Sequence, residues 1–396
     1  MTGALRWVAV LVIAAHGLIH LLGVAKGFGW ADVAALKQPI SAGGAVMWLL
    51  ATTTVLAAAA LLAAGRPSWW WAVALGAALI SQFAVTTSWG DAKAGTAVNA
   101  GLVLLAVYGF ASAGSTSYHA QWTNQATQAL AEVDHAPAVL TEADLVDLPE
   151  PLAAYIHRSG AIGRPRVVSF DATFHGRIRS GPDEAWMPFT GRQVNTYGPR
   201  PQRAFILDAT RSGLPVTVLH QFAETTATMR GKVLSLIPVV DAAGPEMDRG
   251  ETVTVFNDLV IFAPGAIPDA PVQWTPIDDT HVRGQFTDGN QTVTAVLTFD
   301  AEHDLVDFTS EDRYRASYDG KTFTPQRWST PLLDHRDVDG RRVIVAGEGR
   351  WHPPQPEPAF TYLEIHLDGI TYNPPTLDGA ARQDPQAAGR LTLSAR

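Results

Sequence analysis

Two histidines, His16 and His20, interrupt an apolar segment near the start of the 396-residue chain. Their spacing places both imidazoles on one face of a helix, one turn apart. Imidazole nitrogens bind zinc, copper and iron, and intramembrane histidines also relay protons, so both residues are candidate metal or haem ligands or relay groups. The alternative is hydrogen bonding to a neighbouring helix, for example to Ser81 or Gln82. Two histidines in a chain without cysteine cannot complete a four-ligand zinc site, so we expect hydrogen bonding and no evident cofactor.

Carboxylates on predicted inward faces are the second group that could do chemistry. Asp312 shares strand parity with apolar residues of a predicted strand over residues 305–316, and Asp258 lies in a predicted helix. A carboxylate on an apolar face must be paired or hydrogen-bonded. If Asp258 and Asp312 converge in one cleft, they could act as acid and base; otherwise they anchor backbone segments. The chain contains no G-x-S-x-G, H-E-x-x-H or P-loop motif that would indicate a particular reaction.

Charged residues are distributed unevenly along the chain. Residues 1–134 contain five basic and four acidic residues, whereas the remainder contains 24 basic and 34 acidic residues. The whole chain is only 17% charged, against about 25% in soluble proteins, so a fully soluble protein is excluded. The acidic second part argues against nucleic acid as a partner. The absence of cysteine excludes a disulfide scaffold and a cysteine-based metal or redox site.

The uncharged part predicts a membrane bundle. Four apolar segments contain no Lys, Arg, Asp or Glu and are long enough to span a bilayer: residues 7–25, 44–64, 69–88 and 97–113. A tight turn is predicted at Arg66-Pro67-Ser68, between the second and third spans. Small residues in the second span, and Gly17 and Gly23 in the first, allow neighbouring helices to approach closely. The predicted product is a four-helix transmembrane bundle over residues 1–113.

The predicted localisation is the cell membrane, which the chain crosses several times. With four spans, Arg6 and Arg66 lie on one side, and Lys26, Lys37 and Lys93 lie on the other. The positive-inside rule then places the lysine side in the cytoplasm and the C-terminal domain outside it.

Beyond a linker at residues 114–144, the hydrophobic pattern changes to a period of two. Strands joined by short turns predict an antiparallel β-sheet or half-barrel over residues 145–375, followed by a tail at residues 376–396. Residues 251–263 have helical spacing, and we predict a helix lying across the sheet. The predicted strands are residues 167–177, 186–197, 204–209, 216–224, 291–299, 305–316, 322–330, 341–351 and 360–372. The fold class is therefore an α+β membrane protein.

Several motifs resemble those of uncharacterised bacterial membrane proteins. The runs HGLIH and DAKAGT are similar to a four-helix transmembrane module. The runs FNDLVIFAPGAI, VQWTPIDD, SEDRY and GEGRWHPP resemble a bacterial β-rich domain of unknown function. This resemblance implies no activity and no catalytic residues. By fold analogy alone, the sheet with its helix is similar to periplasmic lipoprotein-carrier proteins, whose half-barrels hold acyl chains.

The favoured hypothesis is that the β-domain binds a lipid or another hydrophobic ligand beside the bilayer. The residues expected to line the ligand site or order its rim are Trp274, Asp312, Arg313, Tyr314, Trp328 and Trp351. A second hypothesis is a membrane-bound enzyme that acts on a lipid-soluble substrate, through Asp258 and Asp312 or through a metal held by His16 and His20. A third is an assembly or scaffold protein. The expected partners are the lipid bilayer and a hydrophobic small molecule, and the sequence identifies no protein partner.

Overall fold

A computed structural model describes residues 3–65, 67–134, 136–377 and 390–392. The chain divides into two units, Met1–Gln121 with Leu234–Leu236, and Trp122–Val233 with Ile237–Arg396.

The N-terminal unit is helical. Its helices are α1 (Gly3–Ile19), α2 (Leu21–Gly27), α3 (Ala42–Ala63), α4 (Trp70–Thr87), α5 (Trp89–Ala92) and α6 (Gly95–Ala113). Four helical stretches are long and apolar enough to cross a membrane: Leu5–Gly27, Ala42–Ala63, Trp70–Thr87 and Gly95–Ala131. The prediction of four apolar helices is therefore confirmed. The turn predicted at residues 66–68 includes Arg66, which lies outside the described residues.

Small residues let these helices pack closely, as the sequence predicts. A Cβ atom added to Gly23 would lie 2.2 Å from the Trp48 ring, so α2 contacts α3 through a glycine. A Cβ atom at Gly17 would lie 3.0 Å from Leu56, which is tighter than ordinary contact. The packing core of α3 consists mainly of alanines together with Trp48, Val55 and Leu62.

The second unit begins within helix α7 (Tyr118–Ala131), which is followed by a short 3₁₀ helix at Glu142–Leu145 and by α8 (Glu150–Arg158). Pro151 lies in the first turn of α8, where backbone N–H groups have no acceptor within the helix, so a proline there removes no hydrogen bond of the helix. Gly160 ends this segment with a φ of 71°, a left-handed conformation that favours glycine.

The rest of the second unit is dominated by one antiparallel sheet. Its strands are β1 (Ser169–Ile178), β2 (Met187–Thr196), β3 (Gln202–Arg211), β4 (Leu214–Ala223), β5 (Thr226–Val233), β6 (Ile237–Ala243), β7 (Val272–Pro276), β8 (His281–Asp288), β9 (Gln291–Phe299), β10 (Leu305–Ser310), β11 (Tyr314–Ala316), β12 (Phe323–Pro325), β13 (Arg327–Ser329), β14 (Leu332–Val338), β15 (Arg341–His352), β16 (Phe360–Tyr372) and β17 (Arg390–Thr392). The main order is β6-β5-β4-β3-β2-β1-β16-β15-β13-β10-β9-β8-β7, and β14 and β17 pair with β15 and β16. Strands β11 and β12 form a separate hairpin.

Helix α9 (Pro245–Phe262) connects the two edge strands of this sheet, β6 and β7. Gly244, with a φ of 106°, and Pro245 at the first turn start the helix, and Pro264 follows its end. Most residues of α9 are buried, and the Phe256 ring packs against Phe286 and Phe308 on the sheet. The predicted helix across an antiparallel half-barrel is confirmed, although it begins six residues before the predicted start.

One predicted strand is wrong in a way that changes the site. Residues 305–316 do not form one strand, because β10 ends at Ser310 and β11 begins at Tyr314. The intervening backbone turns, and the amide of Asp312 donates to Ser310 Oγ instead of to a strand partner. Side-chain parity is therefore not maintained across the break. Arg313, one of the residues expected at the ligand site, lines a cavity of the second unit.

Candidate functional site

The helical unit contains a hydrogen-bonded polar cluster around His16 and His20. Both Nε2 atoms lie near Ser81 Oγ, at 3.1 Å for His16 and 2.7 Å for His20. His16 Nε2 is also 3.0 Å from Asn99 Oδ1, and Asn99 Nδ2 donates to Gln82. These contacts match the hydrogen-bonding alternative. Within the described part of the chain, no group of three or more His, Asp or Glu residues is arranged to hold a metal ion.

The second unit contains a cavity of about 360 Å³ between α9 and the concave face of the sheet. This volume is within the range of small-molecule pockets, roughly 300–1,000 Å³. Apolar side chains from several strands form most of its wall: Phe174, Phe205, Leu207, Val216, Val218, Met229, Ile365 and Leu367. The curvature of the sheet and the single helix lying in it leave space that these side chains do not fill.

One face of α9 closes the cavity. Its contributing residues recur at intervals of three or four, as expected for one helical face: Glu246, Met247, Gly250, Glu251, Thr254, Asn257, Asp258, Ile261 and Phe262. Two carboxylates lie near the middle of this face, and a third, Glu246, lies at its N-terminal end beside Met247. The helix therefore delivers acidic groups to an otherwise apolar wall.

Arg203 on β3 pairs with both carboxylates. Its Nε donates to Asp258 Oδ2 at 2.8 Å, and its Nη1 donates to Glu251 Oε1 at 2.8 Å. Nη2 donates to Gln193 Oε1 at 3.1 Å. All three charged residues are at most 5% exposed, so this is a fully desolvated ion network. His220 Nε2 lies 2.8 Å from the other oxygen of Glu251, outside regular hydrogen-bond geometry.

Neutral side chains complete the cluster around Asp258. Gln193 Nε2 and Asn195 Nδ2 donate to Asp258 Oδ2 at 2.7 and 3.1 Å. Asp258 Oδ2 therefore accepts three hydrogen bonds, from Gln193, Asn195 and Arg203. Among the described residues, none donates a hydrogen bond to Oδ1 of this carboxylate.

The two carboxyl groups differ in acidity. Burial raises the pKa of Asp258, and the neighbouring Arg203 offsets this only in part. Burial also acts to raise the pKa of Glu251, but His220 and Arg203 outweigh it and lower that pKa to about 2. Two carboxyls on one helix face thus have environments that shift their pKa values in opposite directions.

Arg313 enters the cavity from the break between β10 and β11. Its Nη1 donates to Gly250 O at 2.7 Å and to the Thr254 hydroxyl. Its Cζ lies 4.5 Å from the ring centroid of Trp328 and 5.7 Å from that of Trp351. Its Nε is buried and has no hydrogen-bond partner among the described residues. The guanidinium is thereby held by two aromatic rings and the helix backbone.

The predicted ligand residues separate into two groups. Arg313, Tyr314, Trp328 and Trp351 line the cavity. Trp274 does not line it and packs instead on Phe256, with ring centroids 5.8 Å apart.

The two predicted catalytic carboxylates are also in different places. Asp258 lines the cavity, whereas Asp312 does not. Asp312 pairs with Arg249 at 2.5 Å and accepts a hydrogen bond from the Thr294 amide at 2.7 Å. Asp312 therefore anchors the segment between β10 and β11 to α9 and β9. This is the alternative in which the carboxylate anchors backbone segments and takes no part in catalysis.

Several residues of the site were not anticipated from the sequence. Gln193, Arg203 and His220 share strand parity with apolar residues that line the cavity. Those apolar residues are Met187 on β2, Phe205 and Leu207 on β3, and Val216 and Val218 on β4, so strand parity was the available signal. Glu251 was included in the predicted helix without being singled out. Its spacing of seven from Asp258 was the available signal, because residues two turns apart share a helical face.

Two solved structures are similar to this chain, each over about half of its length. The structure is similar to one from Vibrio parahaemolyticus described as an outer membrane lipoprotein-sorting protein domain, with 12% identity, a TM-score of 0.30, and 52% of this chain and 85% of that chain covered. It is also similar to a DUF1329 family protein from Desulfovibrio piger, with 10% identity, a TM-score of 0.32, and 54% and 88% coverage. The curated proteins gave no match.

The sequence comparison is more specific. The profile described as a family of unknown function, DUF6544, matches residues 138–365, which is more than half of the chain and includes Arg203, α9 and Arg313. The chain belongs to this family of unknown function.

Proposed function

We propose that the β-rich unit binds a lipid or another hydrophobic ligand in the cavity between α9 and the sheet. The observation that carries the proposal is the cavity of about 360 Å³, whose wall is mainly apolar and aromatic. Exposing such a wall to water is unfavourable by about 25 cal/mol per Å², so an apolar ligand that displaces water from it gains binding free energy. Filled cores normally leave few voids larger than a water molecule.

The chain also connects this unit directly to the apolar helices. Only Gly114–Ser117 separate the end of α6 from the start of α7, whose later residues belong to the second unit. Four helices that could span a membrane would hold the binding unit beside the bilayer from which a hydrophobic ligand comes. Membrane crossing, with the β-rich unit outside the cytoplasm, is part of this proposal.

A cavity-filling substitution tests the proposal. Val218 lines the cavity on β4, and Val218→Trp would occupy the space of a ligand. The measurement is a fluorescence titration of the full chain, held in amphipol, with the uncharged dye Nile red. The matched control is Thr190→Trp, which adds the same ring at an exposed position of β2 that does not line the cavity.

We expect the wild type and Thr190→Trp to bind the dye alike at a saturable site, and Val218→Trp to lose that site. Equal saturable binding by all three proteins would contradict the proposal, because the site would then lie elsewhere. Thermal unfolding of each variant verifies that the β-rich unit remains folded.

Acid–base catalysis on a lipid-soluble substrate is a second candidate. The observation that favours it is the pair of carboxyls on α9 with pKa values shifted in opposite directions, a pattern common in acid–base sites. Asp258 would act with Glu251 rather than with Asp312. Hydrolysis of a long-chain p-nitrophenyl ester tests it: Asp258→Asn should abolish turnover while Nile red still binds, and no turnover by the wild type would contradict it for this ester.

A further inference from the structure

The charges that line the cavity do not balance locally. Four arginines line it: Arg179, Arg203, Arg313 and Arg315. Four carboxylates also line it: Glu246, Glu251, Asp258 and Glu348. The formal charges are equal in number, so the chemistry of the cavity depends on which of these groups already have partners.

Most of the carboxylates have a cationic partner. Glu251 and Asp258 share Arg203, and Glu348 pairs with Arg350 at 2.7 Å. Glu246 is the one lining carboxylate for which the described residues supply no ion pair. With histidine counted as neutral, two formal negative charges therefore remain uncompensated: one on the pair that shares Arg203, and one on Glu246.

The arginines show the opposite pattern. Of the four, only Arg203 has a carboxylate within 4 Å among the described residues. Arg179 donates to the carbonyls of Thr361 and Pro182, and Arg315 donates to the carbonyl of Ser180. Carbonyl oxygens satisfy donors without cancelling charge, so Arg179, Arg313 and Arg315 contribute three positive charges to the wall against two uncompensated carboxylate charges.

Arg313 is the best placed of these uncompensated cations. It is half-buried, its Nε is shielded from water without a partner, and its Nη1 is held by Gly250 and Thr254. Its stacking on Trp328 fixes the plane of the guanidinium and keeps water from one of its faces. Glu251 is within electrostatic range, but Arg203 donates to its Oε1 and His220 Nε2 lies 2.8 Å from its Oε2.

A guanidinium that is fixed in place and lacks an acidic partner binds carboxylates or phosphates in preference to neutral groups, because it can donate charge-assisted hydrogen bonds to them. Building on the proposed function, we propose that the ligand is an anionic single-chain amphiphile whose acidic headgroup is bound by Arg313. Its chain would lie along the apolar side chains of β3, β4 and β5.

Competition between ligands with the same chain tests this inference. A long-chain fatty acid, and the primary alcohol and primary amine of the same chain length, would each displace Nile red from the full chain in amphipol. We expect the acid to compete about tenfold more strongly than the alcohol, and the amine to be the weakest. A tenfold ratio corresponds to about 1.4 kcal/mol.

The variant Arg313→Met keeps a long unbranched side chain and removes the charge. We expect it to bind the acid about tenfold more weakly while its affinity for the alcohol changes by less than about twofold. Arg313→Lys should keep part of the preference, because it keeps the charge but not the planar fork. Arg177→Met is the control, since Arg177 pairs with Glu364 and does not line the cavity.

The outcomes separate this inference from the proposed function. If the wild type binds acid and alcohol equally, or binds the amine best, the headgroup assignment is wrong while a hydrophobic site remains. If Arg313→Met weakens acid and alcohol equally, Arg313 shapes the cavity and does not select the headgroup. If neither compound displaces the dye, or the dye finds no saturable site, the proposed function itself fails.

Discussion

At the scale of single residues, the second unit is organised by arginines that have different partners. Arg203 is buried with Glu251 and Asp258, so it closes an internal ion network. Arg313 is held by aromatic rings and backbone without an acid. The same residue type therefore serves two purposes: pairing with carboxylates on a helix, and presenting a cation to a cavity.

Removing Arg203 should be far more costly than removing a surface arginine. Arg203→Met leaves two carboxylates buried without their cation, and we expect it to lower the free energy of unfolding by about 3–5 kcal/mol. Chemical denaturation of the solubilised full chain, followed by tryptophan fluorescence, measures this loss. Arg336→Met, which removes an exposed partner of Asp334, is the control and should change stability little. A similar small effect of both substitutions would mean that the buried network is not a stabilising unit.

Stability should also depend on acid pH through Glu251. Its folded-state pKa of about 2 lies below its ordinary value of 4.5, so its stabilising contribution is present above pH 4.5 and is lost as pH falls towards 2. Asp258, whose pKa is raised, acts in the opposite direction. We expect Glu251→Gln to lose less stability than the wild type between pH 5 and pH 3, whereas the exposed Glu184→Gln should follow the wild type. Parallel curves for all three proteins would refute the assignment.

At the scale of elements, α9 connects the two halves of the sheet. It joins edge strands β6 and β7. On one face Phe256 packs into the hydrophobic core, and on another face Glu251 and Asp258 line the cavity. The helix itself could be predicted, because its apolar residues recur at helical spacing and Gly244, Pro245 and Pro264 mark its ends.

Truncating the core face of α9 should destabilise the β-rich unit. Phe256 is fully buried, and its ring contacts Trp274, Phe286 and Phe308, so Phe256→Ala should cost about 3–5 kcal/mol. Leu333→Ala, at a position that is 59% exposed, should cost less than about 0.5 kcal/mol. Denaturation midpoints of the two variants measure the difference. A loss below about 1 kcal/mol for Phe256→Ala would show that α9 is not packed as described.

The strand elements show where sequence patterns stop being informative. The strand predicted at residues 291–299 matches β9 residue for residue, because alternating apolar residues follow an Asp-Gly turn. The prediction of a single strand over residues 305–316 was wrong because the alternation of apolar and polar residues continues past Ser310, where β10 ends. The break depends on tertiary contacts of Asp312 with Arg249 and Thr294, which the sequence does not reveal. Strands β5 and β6 were not predicted, although Ala227, Met229 and Val233 alternate with polar residues on β5. The apolar residues of β6 are adjacent to one another and show no such alternation.

At the scale of the whole molecule, composition predicted the division into an apolar helical part and an acidic β-rich part. It could not predict the site, because the pairing of Arg203 with Glu251 and Asp258 joins β3 to a helix about 50 residues later in the chain. Such contacts depend on how the sheet curves around α9. The aromatic residues Trp328 and Trp351 could be predicted as cavity residues, whereas the choice of Arg313 over Asp312 required the structure.

Locating a bound hydrophobic ligand on the chain tests directly whether the β-rich unit holds the binding site. A long-chain fatty acid with a diazirine near the end of its chain would be photo-crosslinked to the full chain, and the modified peptides would be identified by mass spectrometry. We expect saturable modification on β3, β4, β5 and the cavity-facing residues of α9, competed by unlabelled fatty acid and lost in Val218→Trp. Modification confined to the apolar helices α1 to α6, unaffected by Val218→Trp, would contradict it.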